Sequence, residues 1–246
     1  MNWAVFLDMD NTLTVHGEVV PENLAAILRT QEKGHKIVLN TGRSYGFIPK
    51  KVLETVPFDG VIAGGGAYVR VRERVILDVC VPTEVLKLLC DYFERTGLAC
   101  YFEGVEESYC LNTSRENFIK IHSFEDIRNR TTKITIISSR EPTLPDDGRA
   151  LIERYFTYIQ HPNYSEGILK GYSKATGMDV YLADAGIPLA RTIAMGDSAN
   201  DLEMLEHAAL PVGMGDSTPE VLARVKFVSA DCADGGVAQA LDRLLP

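Results

Sequence analysis

Short apolar runs alternate with segments of helical period along most of the chain. Runs at 3–7, 37–39, 61–63, 191–195, 210–213 and 226–229 are predicted as strands. Amphipathic segments at 21–33, 48–56, 173–185, 199–207, 218–223 and 236–245 are predicted as helices between them. Pro21 near the start of the first helix and Gly34 just past its end are the expected punctuation. Strands that alternate with helices build a parallel sheet. The stretches 68–71 and 75–79 alternate around Arg72-Glu73-Arg74 and read as a hairpin.

The pattern changes between 81 and 168, with a helix at 83–96, strands at 99–103 and 108–111, helical turns near 114–128, and a strand at 132–138. A helix at 146–156 and two short strands near 157–168 complete this stretch. The fold class expected is therefore α/β: a Rossmann-like, doubly wound parallel sheet interrupted by an inserted α+β unit. Residues 1–80 and 169–246 are read as the core and 81–168 as the insertion.

The 246 residues carry a formal charge of −9, which disfavours a nucleic-acid backbone as partner, since that needs clustered Lys and Arg. No stretch is apolar for long enough to span a bilayer, and the N-terminal apolar run is too short for a signal peptide. The five cysteines lack zinc-site spacing and read as reduced thiols, so the expected location is the cytoplasm, without a membrane partner. Monomer and dimer both stay open.

Polar clusters follow three of the strands directly: Asp8-Met9-Asp10-Asn11-Thr12, Asn40-Thr41-Gly42-Arg43, and Gly196-Asp197-Ser198-Ala199-Asn200-Asp201. In an open parallel sheet the carboxyl ends of strands near the switch point share one crevice. Asp8, Asp10, Asp197 and Asp201 would bring four carboxylates together there, and these repel unless a cation compensates. A hard divalent ion, Mg2+, suits an all-oxygen donor set that also takes a phosphate oxygen. Thr41 offers the same phosphate a hydroxyl, and Lys174 offers a charge near a helix N-terminus. Each motif alone is as readily a turn or a helix cap; their joint occurrence at element edges favours a site.

These motifs, with Lys170-Gly171-Tyr172-Ser173-Lys174 and the continuation Leu202-Glu203-Met204-Leu205, resemble the haloacid dehalogenase superfamily, in its Cof-type phosphatase branch with a C2-type cap. Weaker agreement continues through Val212-Gly213-Met214-Gly215 and Asp234-Gly235-Gly236-Val237. The resemblance implies a magnesium-dependent phosphoric monoester hydrolase acting on a small phosphorylated metabolite, a sugar phosphate or a phosphoglycolate-like acid. It implies Asp8 as nucleophile, forming an aspartyl-phosphate, and Asp10 as acid and then base. Thr41, Lys174 and backbone N–H groups near Met9 and Gly42 would hold phosphoryl oxygens, and Asn200 would orient phosphate or Lys174. Asp8, the Asp10 carbonyl and Asp197 would hold the metal, with Asp201 ligating or supporting it. Arg43 would act toward the substrate.

Gly65 stands where the family usually has Asn, and Gly215-Asp216-Ser217 replaces its Gly-Asn-Ala. The insertion, as a cap, would read the rest of the substrate. Tyr101, Glu103, Asn112, Arg115 and Lys120 are its polar candidates, each more readily an ordinary solvated residue. A phosphomutase or phosphotransferase on the same scaffold is the first alternative. A non-catalytic phosphate-binding regulatory protein is the second, though it would need neither Asp8 nor Asp10. A receiver-type signalling domain is disfavoured, because Ala63 leads into Gly64 where an Asp would follow the third strand.

Overall fold

A computed structural model of the protein describes residues 2–127, 130–138, 144–161 and 163–245. Two compact units emerge. One comprises Met1–Gly42, Ile48–Leu77 and Ser173–Pro246, and the other Arg43–Phe47 and Asp78–Tyr172. The short stretch Arg43–Phe47 thus groups with the second unit, although it lies within the span 1–80.

The first unit is built on an eight-stranded sheet. Its order is Phe227–Val228, Leu210–Gly213, Thr192–Gly196, Ala4–Leu7, Lys36–Asn40, Gly60–Ala63, Tyr68–Val71 and Arg74–Asp78. Neighbours among the first six are parallel, and Tyr68–Val71 turns antiparallel to Gly60–Ala63. The chain leaves Ala4–Leu7 toward Lys36–Asn40 on one side and later returns to Thr192–Gly196 on the other. Ala4–Leu7 is therefore the point where strand order reverses, the place where doubly wound sheets open a crevice.

Burial on both faces explains why these strands are continuously apolar. Ala4 and Phe6 join a core cluster with Met178, Tyr181 and Leu182 of helix Lys174–Ala185 and with Met204 and Leu205 of helix Leu202–His207. Val5 and Leu7 alternate to the opposite face and are fully buried as well. Helices Pro21–Glu32 and Gly236–Leu244 pack on each other, and the Asn23 side-chain oxygen accepts the Ala238 N–H at 3.0 Å. A hairpin not expected from the pattern pairs Thr14–Val15 with Glu18–Val19. Its two turn residues, His16 and Gly17, both have positive φ (51° and 81°), the signature of a primed hairpin turn.

The second unit carries a six-stranded sheet ordered Ile119–Ile121, Ser108–Leu111, Ala99–Gly104, Thr131–Ile137, Tyr164–Leu169 and Phe156–Gln160. Leu89 and Phe93 of helix Thr83–Thr96 and Ile152 of helix Asp146–Tyr155 pack with Phe102, Ile134 and Ile136 in its core. Of the helical turns expected near 114–128, the residues described up to 127 show one, at 124–126. Ile119–Ile121 is a strand parallel to Ser108–Leu111, and only Phe124–Asp126 makes a short 3₁₀ turn. Asn112 and Asn117 at φ 57° and 65° break any helical run, and alternating Ile-Lys-Ile suits a strand. No helix among the described residues is long and apolar enough to cross a membrane.

Candidate active site

The register of the central strands sets the site. Leu7 lies level with Leu39 on one side and Met195 on the other. Asp8, Asn40 and Gly196 therefore leave the sheet side by side, and Thr41 and Asp197 follow one residue later. The Asp8 N–H donates to the Met195 carbonyl at 3.0 Å. Beyond it the chain folds back at once: the Met9 carbonyl accepts N–H groups of Leu13 and Thr14 and the Thr14 hydroxyl at 2.9–3.1 Å. Asn11 takes the left-handed conformation in this turn, φ 55°, which Asn tolerates better than most residues.

Carboxylate oxygens of Asp8, Asp197 and Asp201 lie within 4.8 Å of one another. Asp10, expected as a fourth member, is outside this group; it is half-buried in the turn three residues past the strand. Lys174 reaches the cluster from the first position of its helix. Its Nζ donates to Asp8 Oδ1 and to Asp201 Oδ1, both at 2.5 Å. Ser173 caps that helix through the Thr176 N–H, which anchors the backbone below Lys174. Three glycines at positive φ, Gly64, Gly65 and Gly66, let the chain pass this cap; a Cβ on Gly66 would stand 2.0 Å from the Ser173 carbonyl oxygen.

Asp201 is fully buried, and both its oxygens are engaged. Oδ1 accepts Lys174, and Oδ2 accepts the N–H groups of Asp197 and Ser198 at 3.1 and 3.2 Å. Its carboxylate presses on Gly196, where an added Cβ would lie 2.5 Å from Asp201 Cγ, so only glycine fits there. Asp197 Oδ1 accepts the Thr12 hydroxyl at 3.2 Å. The Gly215-Asp216-Ser217 loop braces the same turn: Ser217 Oγ donates to the Gly196 carbonyl, and the Thr218 N–H donates to the Asp197 carbonyl at 2.9 Å.

Thr12 and Asn40 were not singled out from the sequence, although both sit inside the quoted motifs. Thr12 orients Asp197. Asn40 donates to the Lys174 carbonyl at 3.0 Å and ties the second motif to the Lys174 helix. Thr41 is buried, its N–H bonded to the Ile62 carbonyl at 2.9 Å. Asn200 stands beside Gly42, with Nδ2 3.5 Å from where a Cβ on Gly42 would be, and its Oδ1 accepts the Ser198 hydroxyl.

Charge crowding is the main electrostatic feature. Burial, then the Asp201 charge, pushes the Asp8 carboxyl up to about 8, although Lys174 pulls it down. Burial and Asp201 raise Asp197 to about 6 against the Thr12 hydrogen bond. Burial alone would lower Lys174, but Asp201 and Asp8 outweigh it and hold the ammonium above its ordinary range. Three crowded carboxylates thus stand beside a single ammonium, which contacts two of them. An all-oxygen set left with excess negative charge fits a hard divalent cation.

In the second unit, Arg43 lies over the Phe47 ring at 5.0 Å and donates to the Phe47 carbonyl at 3.5 Å. Tyr101 and Glu103, expected as solvated, are buried: Glu103 accepts the Thr135 hydroxyl at 2.6 Å and the Ser44 hydroxyl at 3.4 Å. Asn112 donates to the Phe93 and Leu98 carbonyls at 2.7 and 3.0 Å and serves the end of helix Thr83–Thr96. Lys120 is exposed.

The description "haloacid dehalogenase-like hydrolase" matches this chain over residues 5–241. The chain belongs to that family. Within it, this hydrolase is a Cof-type phosphatase, a phosphoric monoester hydrolase. It is 23% identical to the 5-amino-6-(5-phospho-D-ribitylamino)uracil phosphatase of Bacillus subtilis, over 97% of this chain and 96% of that one. It is 25% identical to a phosphoglycolate phosphatase of Methanoculleus marisnigri, over 97% and 95% of the two chains. A solved sugar phosphatase of haloacid dehalogenase subclass IIB shares the fold, with a TM-score of 0.84 and 24% identity over 98% of both chains.

Proposed function

We propose that this hydrolase removes the phosphoryl group of a small phosphorylated metabolite through an aspartyl-phosphate on Asp8, with magnesium as cofactor. The observation that carries the reading is the contact of Lys174 with Asp8 and Asp201 beside Asp197 at the strand-order switch point. Asp8 and Asp197, with the Asp10 carbonyl, would hold the cation, whose charge would offset the acidic cluster and the substrate dianion.

In the first half-reaction, Asp8 attacks phosphorus in line, and the bond from phosphorus to the ester oxygen breaks. The Asp10 carboxyl gives its proton to that leaving oxygen. In the second half-reaction, water attacks the same phosphorus while the Asp10 carboxylate takes the water proton, and Asp8 leaves as a free carboxylate. Lys174, Thr41 and N–H groups near Met9 and Gly42 stabilise the phosphoryl oxygens, with Asn200 orienting phosphate or Lys174. Positioning and charge neutralisation supply most of the catalysis in such a transfer. Asp201 holds Lys174 and the Asp197 loop in place.

In this reading, residues 1–80 and 169–246 are the catalytic core and 81–168 a cap. The relatives act on varied small phosphorylated molecules, which supports a metabolite substrate. The five unpaired cysteines support a reducing compartment, the cytoplasm. The test is release of inorganic phosphate from a panel of phosphorylated metabolites, with magnesium and with chelator. Release that is indifferent to magnesium, or that survives Asp8→Asn, sinks the reading.

A further inference from the structure

One buried thiol of the first unit is bonded to the turn that follows Asp8. Cys232 Sγ donates to the Thr12 carbonyl at 3.0 Å, across 220 positions of sequence, and both residues are fully buried. Burial, then the charges of Asp216 and Asp197, push the thiol up to about 12, so the sulfur keeps its proton and acts as donor. A protonated thiol is a poor metal ligand and a poor nucleophile, which leaves the hydrogen bond as its contribution.

Thr12 is therefore held at two atoms. Its carbonyl oxygen accepts Cys232, and its hydroxyl donates to Asp197 Oδ1 at 3.2 Å. The backbone on either side is fixed as well: Asn11 is left-handed at φ 55°, and the Leu13 N–H donates to the Met9 carbonyl at 3.1 Å. A β-branched Thr has few χ1 wells, so a peptide locked at its carbonyl aims the hydroxyl.

Cys232 is itself anchored. It opens the 3₁₀ turn Cys232–Asp234, where the Asp231 carbonyl accepts the N–H groups of Asp234 and Gly236 at 3.0 and 3.1 Å. The preceding Ala230 donates its N–H to Gln239 Oε1 at 2.8 Å and accepts the Gly215 N–H at 3.2 Å. The loop that begins at Gly215 is the one that braces the Asp197 carbonyl through the Thr218 N–H. The turn at 230–236 thus reaches Asp197 twice, through Thr12 to its carboxylate and through the Gly215 loop to its backbone.

We infer that Cys232 is a positioning residue for Asp197: its thiol fixes the Thr12 carbonyl, and Thr12 in turn holds the Asp197 carboxylate in the orientation that binds a divalent cation. This rests on the reading of Asp197 as a magnesium ligand.

Melting of the metal-free protein, followed by a magnesium titration of Tm, gives the dissociation constant of the ion independently of turnover. Cys232→Ala removes the donor, and that constant should rise roughly three- to tenfold, the scale of one lost hydrogen bond. Cys232→Ser keeps a donor and should stay closer to wild type than Cys232→Ala. In a Thr12→Val background the hydroxyl contact with Asp197 is already gone, so Cys232→Ala should add no further loss of magnesium affinity. The magnesium concentration for half-maximal phosphate release should follow the same order. Cys232→Val refills most of the volume without a donor; it should match Cys232→Ala and replaces it where the cavity prevents folding. A donor-free variant with a lower Tm in chelator and unchanged magnesium affinity would make Cys232 plain packing and overturn the inference. An undiminished loss in the Thr12→Val background, or a Cys232→Ser protein no better than Cys232→Ala, does the same. A wild type whose Tm ignores magnesium removes the Asp197 reading itself, and the inference with it.

Discussion

The Lys174 ammonium stands 2.5 Å from Asp8 Oδ1, and the same nitrogen lies 2.5 Å from Asp201 Oδ1. One buried cation therefore serves two buried carboxylates. Lys174→Met leaves both uncompensated, and breaking a buried pair in this way costs about 3–5 kcal/mol. Urea unfolding without metal should show that loss, and magnesium should recover part of it. Phosphate release should fall by about 10²–10³-fold, the scale for removing one donor to a transition-state oxygen. A variant as stable and as active as wild type would remove Lys174 from the site.

Asp8→Asn separates chemistry from stability. An amide cannot stand in for the attacking carboxylate proposed at Asp8, so turnover should disappear. Metal-free protein should nevertheless melt higher, because one of three crowded carboxylates is gone while Asp201 still partners Lys174. At this chain length each kcal/mol moves the melting midpoint by about 2–4 °C. Calorimetry in chelator checks the sign: a lower Tm would mean that Lys174 attracts Asp8 more strongly than Asp197, Asp201 and burial oppose its charge.

The same crowding sets a pH dependence. Asp8 and Asp197 rise from an ordinary 3.8 to about 8 and about 6 in the folded protein. A carboxyl with a raised native pKa keeps its proton longer folded than unfolded. Above the ordinary value the unfolded chain therefore binds fewer protons, and stability falls as pH climbs. Metal-free protein should lose stability between about pH 4 and pH 8 through these two groups. The proposed magnesium would bind the ionised carboxylates, so its effect on Tm should be larger at pH 8 than at pH 5. A magnesium effect independent of pH would place the ion elsewhere.

The elements legible in the chain are those whose burial is a local matter. Ala4–Leu7, Thr192–Gly196 and their neighbours are apolar on both faces, so short runs announce them, and the acidic residues just past their ends follow from sheet topology. What escaped depends on partners distant in sequence. Glu103 looks like a surface residue until Ser44 and Thr135 supply its hydrogen bonds. Arg43–Phe47 belongs with the second unit through contacts that no periodicity encodes. Thr12 sits in a recognised motif, yet its role depends on Asp197, 185 positions away. Asp10 shares that motif with Asp8, and only the turn geometry separates their carboxylates.

The second unit holds its own buried charge pair. Lys133 donates to Glu166 on the neighbouring strand, with both side chains almost fully buried. Burial alone would raise Glu166, but Lys133, helped by His161, holds it down at about 2. This stabilisation is complete above the ordinary 4.5 and is lost as pH falls toward 2. Lys133→Met takes the main partner from Glu166, leaving His161 beside it, and should cost about 3–5 kcal/mol in urea unfolding, whereas Lys133→Met with Glu166→Leu should cost less than the single change. A double variant weaker than the single would show that the pair contributes more than mutual neutralisation.

Asp197 and Asp201 differ in what their oxygens have left to offer. Asp201 spends Oδ1 on Lys174 and Oδ2 on two backbone N–H groups, so it shapes the turn and positions the ammonium. Asp197 has the Thr12 hydroxyl on Oδ1 and stays open toward a cation. The magnesium concentration for half-maximal phosphate release should therefore rise by more than about a hundredfold in Asp197→Asn, if Asp197 is the direct ligand proposed for it. It should rise by only about tenfold in Asp201→Asn and in Thr12→Val, which act by orienting other groups. Asp201→Asn should lower kcat as well, since its amide holds Lys174 less firmly. Equal shifts for Asp197→Asn and Asp201→Asn would make Asp201 a direct ligand, and its bonds to the turn incidental.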